Sequence, residues 1–286
     1  MRFTLRDIQK MKTDGKKIAV LTAYDATSAR VAEAADVPMI LVGDSLGMVV
    51  QGHPTPLPVT LEQMIYHAEI VVRVTKKPLV VVDLPFMTYQ VSEEQALQNA
   101  ARVMQATGAT AVKIEGGVSI APTIARLVSA GIPVMAHIGL TPQSLHQFGG
   151  FRVQGRDLAT ARQLVRDAEA VQSAGAFAVV LELVPAELAQ VVTERLHIPT
   201  IGIGAGAHCS GQVQVFHDIL ALFSDFLPKH AKPFAQIGQA MQDAVAQYRQ
   251  EVEGGAFPTA SNASKMDEST LQALKDALRD ADTTDA

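Results

Sequence analysis

One rhythm constrains this chain more than anything else in it. Between Ile18 and His217, short β-branched apolar runs alternate with alanine-rich stretches of helical periodicity. Each run is too short for a helix and is bounded by turn residues, the pattern of a parallel strand buried on both faces. The strands are predicted at Ile18 to Ala23, Val37 to Val42, Leu79 to Pro85, Ala111 to Gly117, Val134 to His137, Phe177 to Glu182, Pro199 to Gly204 and, more weakly, Gly211 to His217. Helices are predicted between them: Ala26 to Ala35, Thr60 to Lys76, Ser92 to Thr107, Ala121 to Ala130, Leu158 to Ala174 and Pro185 to Leu196. Thr60-Leu-Glu-Gln63 and Ser92-Glu-Glu-Gln95 have the spacing of a capping box, and Gly108 stands where a helix exits. This βα alternation predicts an α/β fold, a (β/α)8 TIM barrel forming a single catalytic domain over residues 1–263. An open doubly wound sheet gives similar local signals and is the alternative. A charged helix from Thr4 to Lys12 precedes the barrel, and alanine-rich helices near Phe234 to Glu251 end it. Residues 264–286 read as an acidic, mobile C-terminal extension with one short helix at Ser269 to Leu278.

Where the runs stop, polar residues begin. Leu41-Val-Gly-Asp-Ser-Leu-Gly47 passes from apolar strand to glycine, acid and hydroxyl within a few positions. The third, fourth and sixth strands also end in acids, Asp83, Glu115 and Glu182, and the fifth ends in His137. In a barrel all strand C-termini face one mouth, so Asp44, Asp83, Glu115, His137 and Glu182 converge there although scattered along the chain. Singly, each has a plain structural reading as a helix cap, a loop acceptor or a satisfied core histidine. Together they crowd like charges into one desolvated place, which requires a cation or a substrate to compensate. Carboxylates without a cysteine cluster or a dense histidine set suit a hard cation, Mg²⁺ before zinc. With Asp44 read as one ligand, two protein carboxylates leave room in its shell for a chelating 2-oxo acid. Lys113 is then the partner of the substrate carboxylate, and Glu182 the general base.

Other features carry less. Gly202-Ile-Gly-Ala-Gly206 offers backbone amides to a phosphate or simply shapes the mouth. His53, His67 and His146 have no ligand spacing among them. The proline- and glycine-rich Gln51 to Pro58 follows Asp44 and is expected to roof the site. A net charge of -5 excludes a polyanion-binding surface, so nucleic acid is not an expected partner. The single cysteine, Cys209, permits no internal disulfide. Charges interrupt the apolar positions of residues 1–10, and no run approaches the ~20 residues that span a bilayer. The expectation is a cytoplasmic protein without a membrane partner.

These residues also carry a family resemblance. Leu41-Val-Gly-Asp-Ser-Leu-Gly-Met48 with Gly52-His-Pro-Thr55, Val82-Asp-Leu-Pro-Phe86, Ala111-Val-Lys-Ile-Glu-Gly-Gly117, Met135-Ala-His-Ile-Gly-Leu-Thr-Pro-Gln143, Phe148-Gly-Gly-Phe151 and Ile201-Gly-Ile-Gly-Ala-Gly206 occur in this order. The set resembles the ketopantoate hydroxymethyltransferases from Thr4 to about Thr259. The resemblance implies a barrel that uses Mg²⁺ and the cosubstrate 5,10-methylenetetrahydrofolate to hydroxymethylate 3-methyl-2-oxobutanoate. The product, 2-dehydropantoate, leads to pantothenate and coenzyme A. It further implies Asp44 and Asp83 as metal ligands, with Glu115 in the metal set directly or through water. Asp44, Ser45, Asp83 and Lys113 are implied as oxo-acid contacts, His137 as a pocket residue and Glu182 as proton acceptor. A homodecamer is implied as the assembly. Ser210, where an acid is expected, Ala221-Leu-Phe223 and the extension after Ser264 depart from the pattern. Two other readings compete: a Mg²⁺-dependent 2-oxo-acid lyase on the same barrel, and an inactive barrel serving as an interaction module.

Overall fold

The computed structural model of the chain describes residues 2–222 and 227–284. Eight parallel strands close on themselves in sequence order: β1 (Ile18–Thr22), β2 (Met39–Val42), β3 (Leu79–Asp83), β4 (Ala111–Glu115), β5 (Val134–Gly139), β6 (Ala178–Glu182), β7 (Thr200–Ile203) and β8 (Gly211–Gln214). The closing seam pairs Ile18 with Gly211 and Leu21 with Gln214. The open sheet is thereby excluded and the (β/α)8 barrel is the fold. Helices α1 (Leu5–Thr13), α2 (Ala26–Ala34), α3 (Leu46–Val49), α4 (Leu61–Val74), α5 (Glu93–Thr107), α6 (Ala121–Ser129), α7 (Leu145–Phe148), α8 (Leu158–Ser173), α9 (Ala186–Arg195) and α10 (Phe216–Ile219) belong to this part of the chain. The capping signals act as read: Thr60 accepts from Gln63 N–H, Ser92 from Gln95 N–H, and Gly108 ends α5 at φ 71°.

Two apolar clusters follow from the two-residue period of a strand. Ile18, Val20, Met39, Leu41, Leu79, Val81 and Val180 point into the barrel and pack with one another. Their neighbours, among them Ile40, Val80, Val82 and Val179, face outward into the layer beneath the helices. Ile8 of α1 is fully buried within the inner cluster, with Phe3, Leu5 and Met11 partly buried against it. Lys12 on the same helix donates to the carbonyls of Leu196 and Ile198 at 2.8 and 2.7 Å, which ties α1 to the chain entering β7. The helix read only as a charged N-terminal segment therefore contributes to the barrel core.

Three expectations are corrected. The eighth strand ends at Gln214 and not at His217, because Val215 leads into α10, with Phe216 buried and its amide bonded to Thr22 Oγ1 at 3.0 Å. The loop after Asp44 opens with the short α3 before becoming irregular. The helix at the end of the chain, α12 (Glu268–Thr284), is longer than Ser269 to Leu278. The chain divides into two compact units, Met1–Ala235 and Gln236–Ala286, a division that falls before the 263/264 boundary read from composition. The second unit holds α11 (Ile237–Glu253) and α12. Phe223 lies outside the described residues.

Candidate active site

The inward parity of the core strands continues into the polar residues. Asp83 follows Leu79 and Val81, Lys113 and Glu115 follow Ala111, His137 follows Met135, and Glu182 follows Ala178 and Val180. Register then sets neighbours: Asp83 lies beside Lys113, and Glu115 beside His137. Asp44 arrives differently, from the turn after β2. Its amide donates to Asp83 Oδ2 at 3.0 Å. Gly43 makes that approach possible, since a Cβ there would lie 2.9 Å from Ser45 Oγ and 3.4 Å from Asp83 Oδ2.

The convergence read from the sequence is thus observed. Lys113 Nζ is 2.8 Å from Asp83 Oδ1 and 3.9 Å from Glu115 Oε1. His137 bridges two acids, with Nδ1 3.3 Å from Glu115 Oε1 and Nε2 3.2 Å from Glu182 Oε2. Ser45 Oγ is 2.8 Å from the hydroxyl of buried Tyr24. Asp44, Asp83, Lys113, Glu115 and His137 are all buried, whereas the Glu182 side chain retains 12% exposure. Glu182 is therefore the acid in this group best placed to meet a molecule in the mouth.

Burial, and then the charges of Asp83 and Glu115, push the Asp44 carboxyl well above the ordinary range. Burial alone would also raise Glu115, but its contacts with His137 and the charge of Lys113 outweigh that and hold it low. Burial and Lys113 would lower His137, yet Glu115 and Glu182 on either side lift it to about 9. Lys113 is likewise raised, its desolvation outweighed by Asp83, Glu115 and Asp44. Four carboxylates thus face two cationic side chains. One of the Asp83 oxygens, Oδ1, and Glu115 Oε1 are buried without a hydrogen bond, leaving Lys113 and His137 as ion-pair neighbours only. Among the described residues no group of three or more His, Cys, Asp or Glu side chains is arranged to hold a metal alone. A divalent cation at this mouth fits the excess of carboxylates, with part of its shell left for water and substrate oxygens.

The chain matches the family described as ketopantoate hydroxymethyltransferase over residues 2–260. It belongs to that family. Family membership makes it a transferase, and the catalytically inactive barrel drops out as a reading of the whole. The 3-methyl-2-oxobutanoate hydroxymethyltransferase of Chloroflexus aurantiacus is 61% identical over 273 residues, covering 96% of each chain. That of Gluconacetobacter diazotrophicus is 60% identical and covers 93% of this chain and 96% of its own. Among solved structures, a putative phosphonomutase from Burkholderia cenocepacia superposes with a TM-score of 0.62 at 19% identity, over 87% of this chain and 100% of its own. A 2,3-dimethylmalate lyase of the PEP mutase/isocitrate lyase superfamily does so with 0.58 at 18%, over 100% of both chains. At such identities the likeness is one of fold.

Residues that sequence reasoning passed over complete the site. Gln143 is buried, and its side-chain amide donates to Asp44 Oδ2 at 2.8 Å while its backbone amide donates to Glu115 Oε2 at 3.0 Å. Tyr89, buried between β4 and Gln143, donates to Gln143 Oε1 at 2.7 Å and accepts from Glu115 N–H at 3.0 Å. Gln143 stands at the end of the Met135 to Gln143 motif, and Tyr89 lies in an irregular loop where periodicity gives no signal. The departure at Ser210 has a local account. It is buried with Thr200, whose hydroxyl accepts from Ser210 N–H at 3.1 Å, and an acid there would be desolvated among hydroxyls. In the glycine run, a Cβ at Gly206 would meet Ala186 at 2.5 Å and one at Gly202 would meet Cys209 Sγ at 3.0 Å. Close packing at β7 for Gly202, and of the following turn against α9 for Gly206, accounts for these two glycines.

Proposed function

We propose that this chain catalyses the Mg²⁺-dependent transfer of a hydroxymethyl group from 5,10-methylenetetrahydrofolate to 3-methyl-2-oxobutanoate, giving 2-dehydropantoate. The observation that carries the reading is the meeting of Asp44, Asp83, Lys113 and Glu182 at one barrel mouth in a member of this family. Asp44 and Asp83 are the residues that would hold Mg²⁺, with Glu115 in the same set directly or through water. When bound there, Mg²⁺ supplies a Lewis acid that draws electron density from the substrate ketone and balances negative charge in the reaction.

The remaining steps belong to the side chains. Lys113, with Ser45, receives the carboxylate of the oxo acid. Glu182 removes the C3 proton, and the resulting carbon nucleophile bonds to the one-carbon unit, which folate carries at the oxidation level of formaldehyde; the C–N bonds to folate break, water supplies the hydroxyl, and tetrahydrofolate leaves. His137 stands between Glu182 and Glu115, where a cationic imidazole orients the base and offsets its neighbour. Folate approaches under the Gln51 to Pro58 loop. Phosphonopyruvate hydrolase, a barrel of the same fold at 12% identity and TM-score 0.59, was solved with oxalate and Mg²⁺, a pairing of the same chemical kind as an oxo acid and its metal.

The enzyme works in the cytoplasm, at the start of the pantothenate and coenzyme A route, as a homo-oligomer of the decameric type. Support for self-association comes from α11, where Ile237, Met241, Val245, Tyr248 and Val252 recur at helical spacing and are all exposed. Among the described residues no helix is long and apolar enough to cross a membrane. The test is a direct assay: 2-dehydropantoate must form only when methylenetetrahydrofolate, the oxo acid and Mg²⁺ are all supplied, and chelation must stop it. Cleavage of a hydroxy-oxo acid without folate would instead establish the lyase reading.

A further inference from the structure

We propose that Gln143 is a positioning residue that fixes the Asp44 carboxylate in the orientation needed for a divalent cation. The inference rests on the reading that Asp44 ligates that cation. Gln143 sits in a short 3₁₀ turn, Pro142–Ser144, just after β5, and contributes no charge of its own. Its side-chain amide is saturated. Oε1 accepts from Tyr89 Oη at 2.7 Å and from Gln90 Nε2 at 3.0 Å, and Nε2 donates to Asp44 Oδ2 at 2.8 Å and to the Leu84 carbonyl at 3.0 Å.

The partners allow only this orientation of the amide. A carboxylate and a carbonyl can only accept, so the NH₂ group must face Asp44 and Leu84. On the other side, the backbone N–H of Glu115 donates to the Tyr89 hydroxyl at 3.0 Å, and the phenol's own proton faces Gln143 Oε1 at 2.7 Å, the shorter of its two acceptor contacts, the Glu115 carbonyl lying at 3.3 Å. The Asp44 carboxylate is consequently pinned through Oδ2, and Oδ1 is left to turn toward an ion. The backbone N–H of the same residue holds Glu115 Oε2 at 3.0 Å, so one residue after β5 sets acids at the ends of β2 and β4. Outer partners of this kind orient ligating carboxylates, and their loss typically weakens metal affinity by about 10- to 100-fold.

The experiment is titration calorimetry of the full chain with Mn²⁺ and Mg²⁺, in the absence of folate, on the wild type, Gln143→Met, Tyr89→Phe and the double variant. Circular dichroism and thermal melts of each verify the fold. Gln143→Met is expected to weaken cation binding about tenfold or more, and its activity is expected to recover as Mg²⁺ is raised. Tyr89→Phe removes one of the two donors to Gln143 Oε1, leaving Gln90 as the other, and is expected to weaken binding to a lesser degree. The double variant should bind less weakly than the two single losses combined predict, because part of the Tyr89 effect passes through Gln143 and the rest through its contact with the Glu115 backbone; full additivity would overturn the coupling. Wild-type affinity in a folded Gln143→Met overturns the proposal, as does wild-type affinity in Tyr89→Phe should Gln143→Met fail to fold. A loss of turnover that added Mg²⁺ does not restore also overturns it, since a merely structural defect behaves so. If the wild type itself takes up no divalent cation, the metal reading beneath the proposal fails, a result distinct from either.

Discussion

Glu182 and Asp83 differ in what surrounds them, and the difference supports the separate roles proposed for them. Glu182 keeps contact with solvent and leans on a histidine, whereas Asp83 is sealed between the Lys113 ammonium and the Asp44 amide. Glu182→Gln preserves shape and removes basicity. Metal and oxo-acid binding should survive in it, while exchange of the C3 proton with deuterated solvent falls by about 10²- to 10⁴-fold. Exchange at the wild-type rate, followed by NMR, would take Glu182 out of the mechanism. Asp83→Asn leaves Lys113 only its distant partner Glu115 and removes one of the two proposed ligand carboxylates. It should cost about 3 kcal/mol or more in apo stability, as broken buried pairs do, and should bind Mg²⁺ more weakly. Undiminished affinity by calorimetry would restrict Asp83 to a structural role.

Strand ends and the short helices beyond them set the geometry that these side chains use. Gly139, the last residue of β5, has φ 92°, and a Cβ there would lie 2.3 Å from the Glu182 carbonyl. Only glycine permits that approach, so Gly139→Ala should cost about 1–3 kcal/mol in strain and displace the end of β6. Denaturant melts would read the first effect, and a fall in kcat larger than any change in KM the second. In α10, burial raises the Asp218 carboxyl to about 6. A carboxyl raised in the folded state binds its proton more tightly there than in the unfolded chain, so folding loses stability as pH climbs from about 4 through 6. Asp218→Asn should therefore melt a few degrees higher than wild type at pH 8, and the gap should close below pH 4. A constant gap across that range would assign the effect to something other than ionisation.

At the scale of the whole barrel, α1 and the strands share one inner core, while the polar site residues lie at the opposite ends of β2 to β6. Ile8→Ala empties a fully buried position in that core. It should lower stability by about 2–5 kcal/mol and leave the cation affinity of the folded protein intact, because the site lies at the far ends of the strands. Loss of cation affinity in parallel with stability would show that the two ends are coupled.

Much of this was legible from one dimension. A strand's side-chain period of two and a helix's of 3.6 are local properties, so the eight strands, the helices among them, the capping boxes and the acids at strand ends could be read directly. Parallel strands in a barrel also point one way, which gathers Asp44, Asp83, Glu115, His137 and Glu182 before any coordinates. Three things could not be read. Whether the sheet closes depends on β1 meeting β8 across the whole chain. Whether the N-terminal helix enters the core depends on the space left inside the strands. The partnership of Asp44, Gln143 and Tyr89 joins three loops, where no periodicity exists and a hydrogen bond of 2.7–2.8 Å depends on how the turns bend. Local spacing determined which residues face the mouth; long-range closure and loop geometry decided which of them touch.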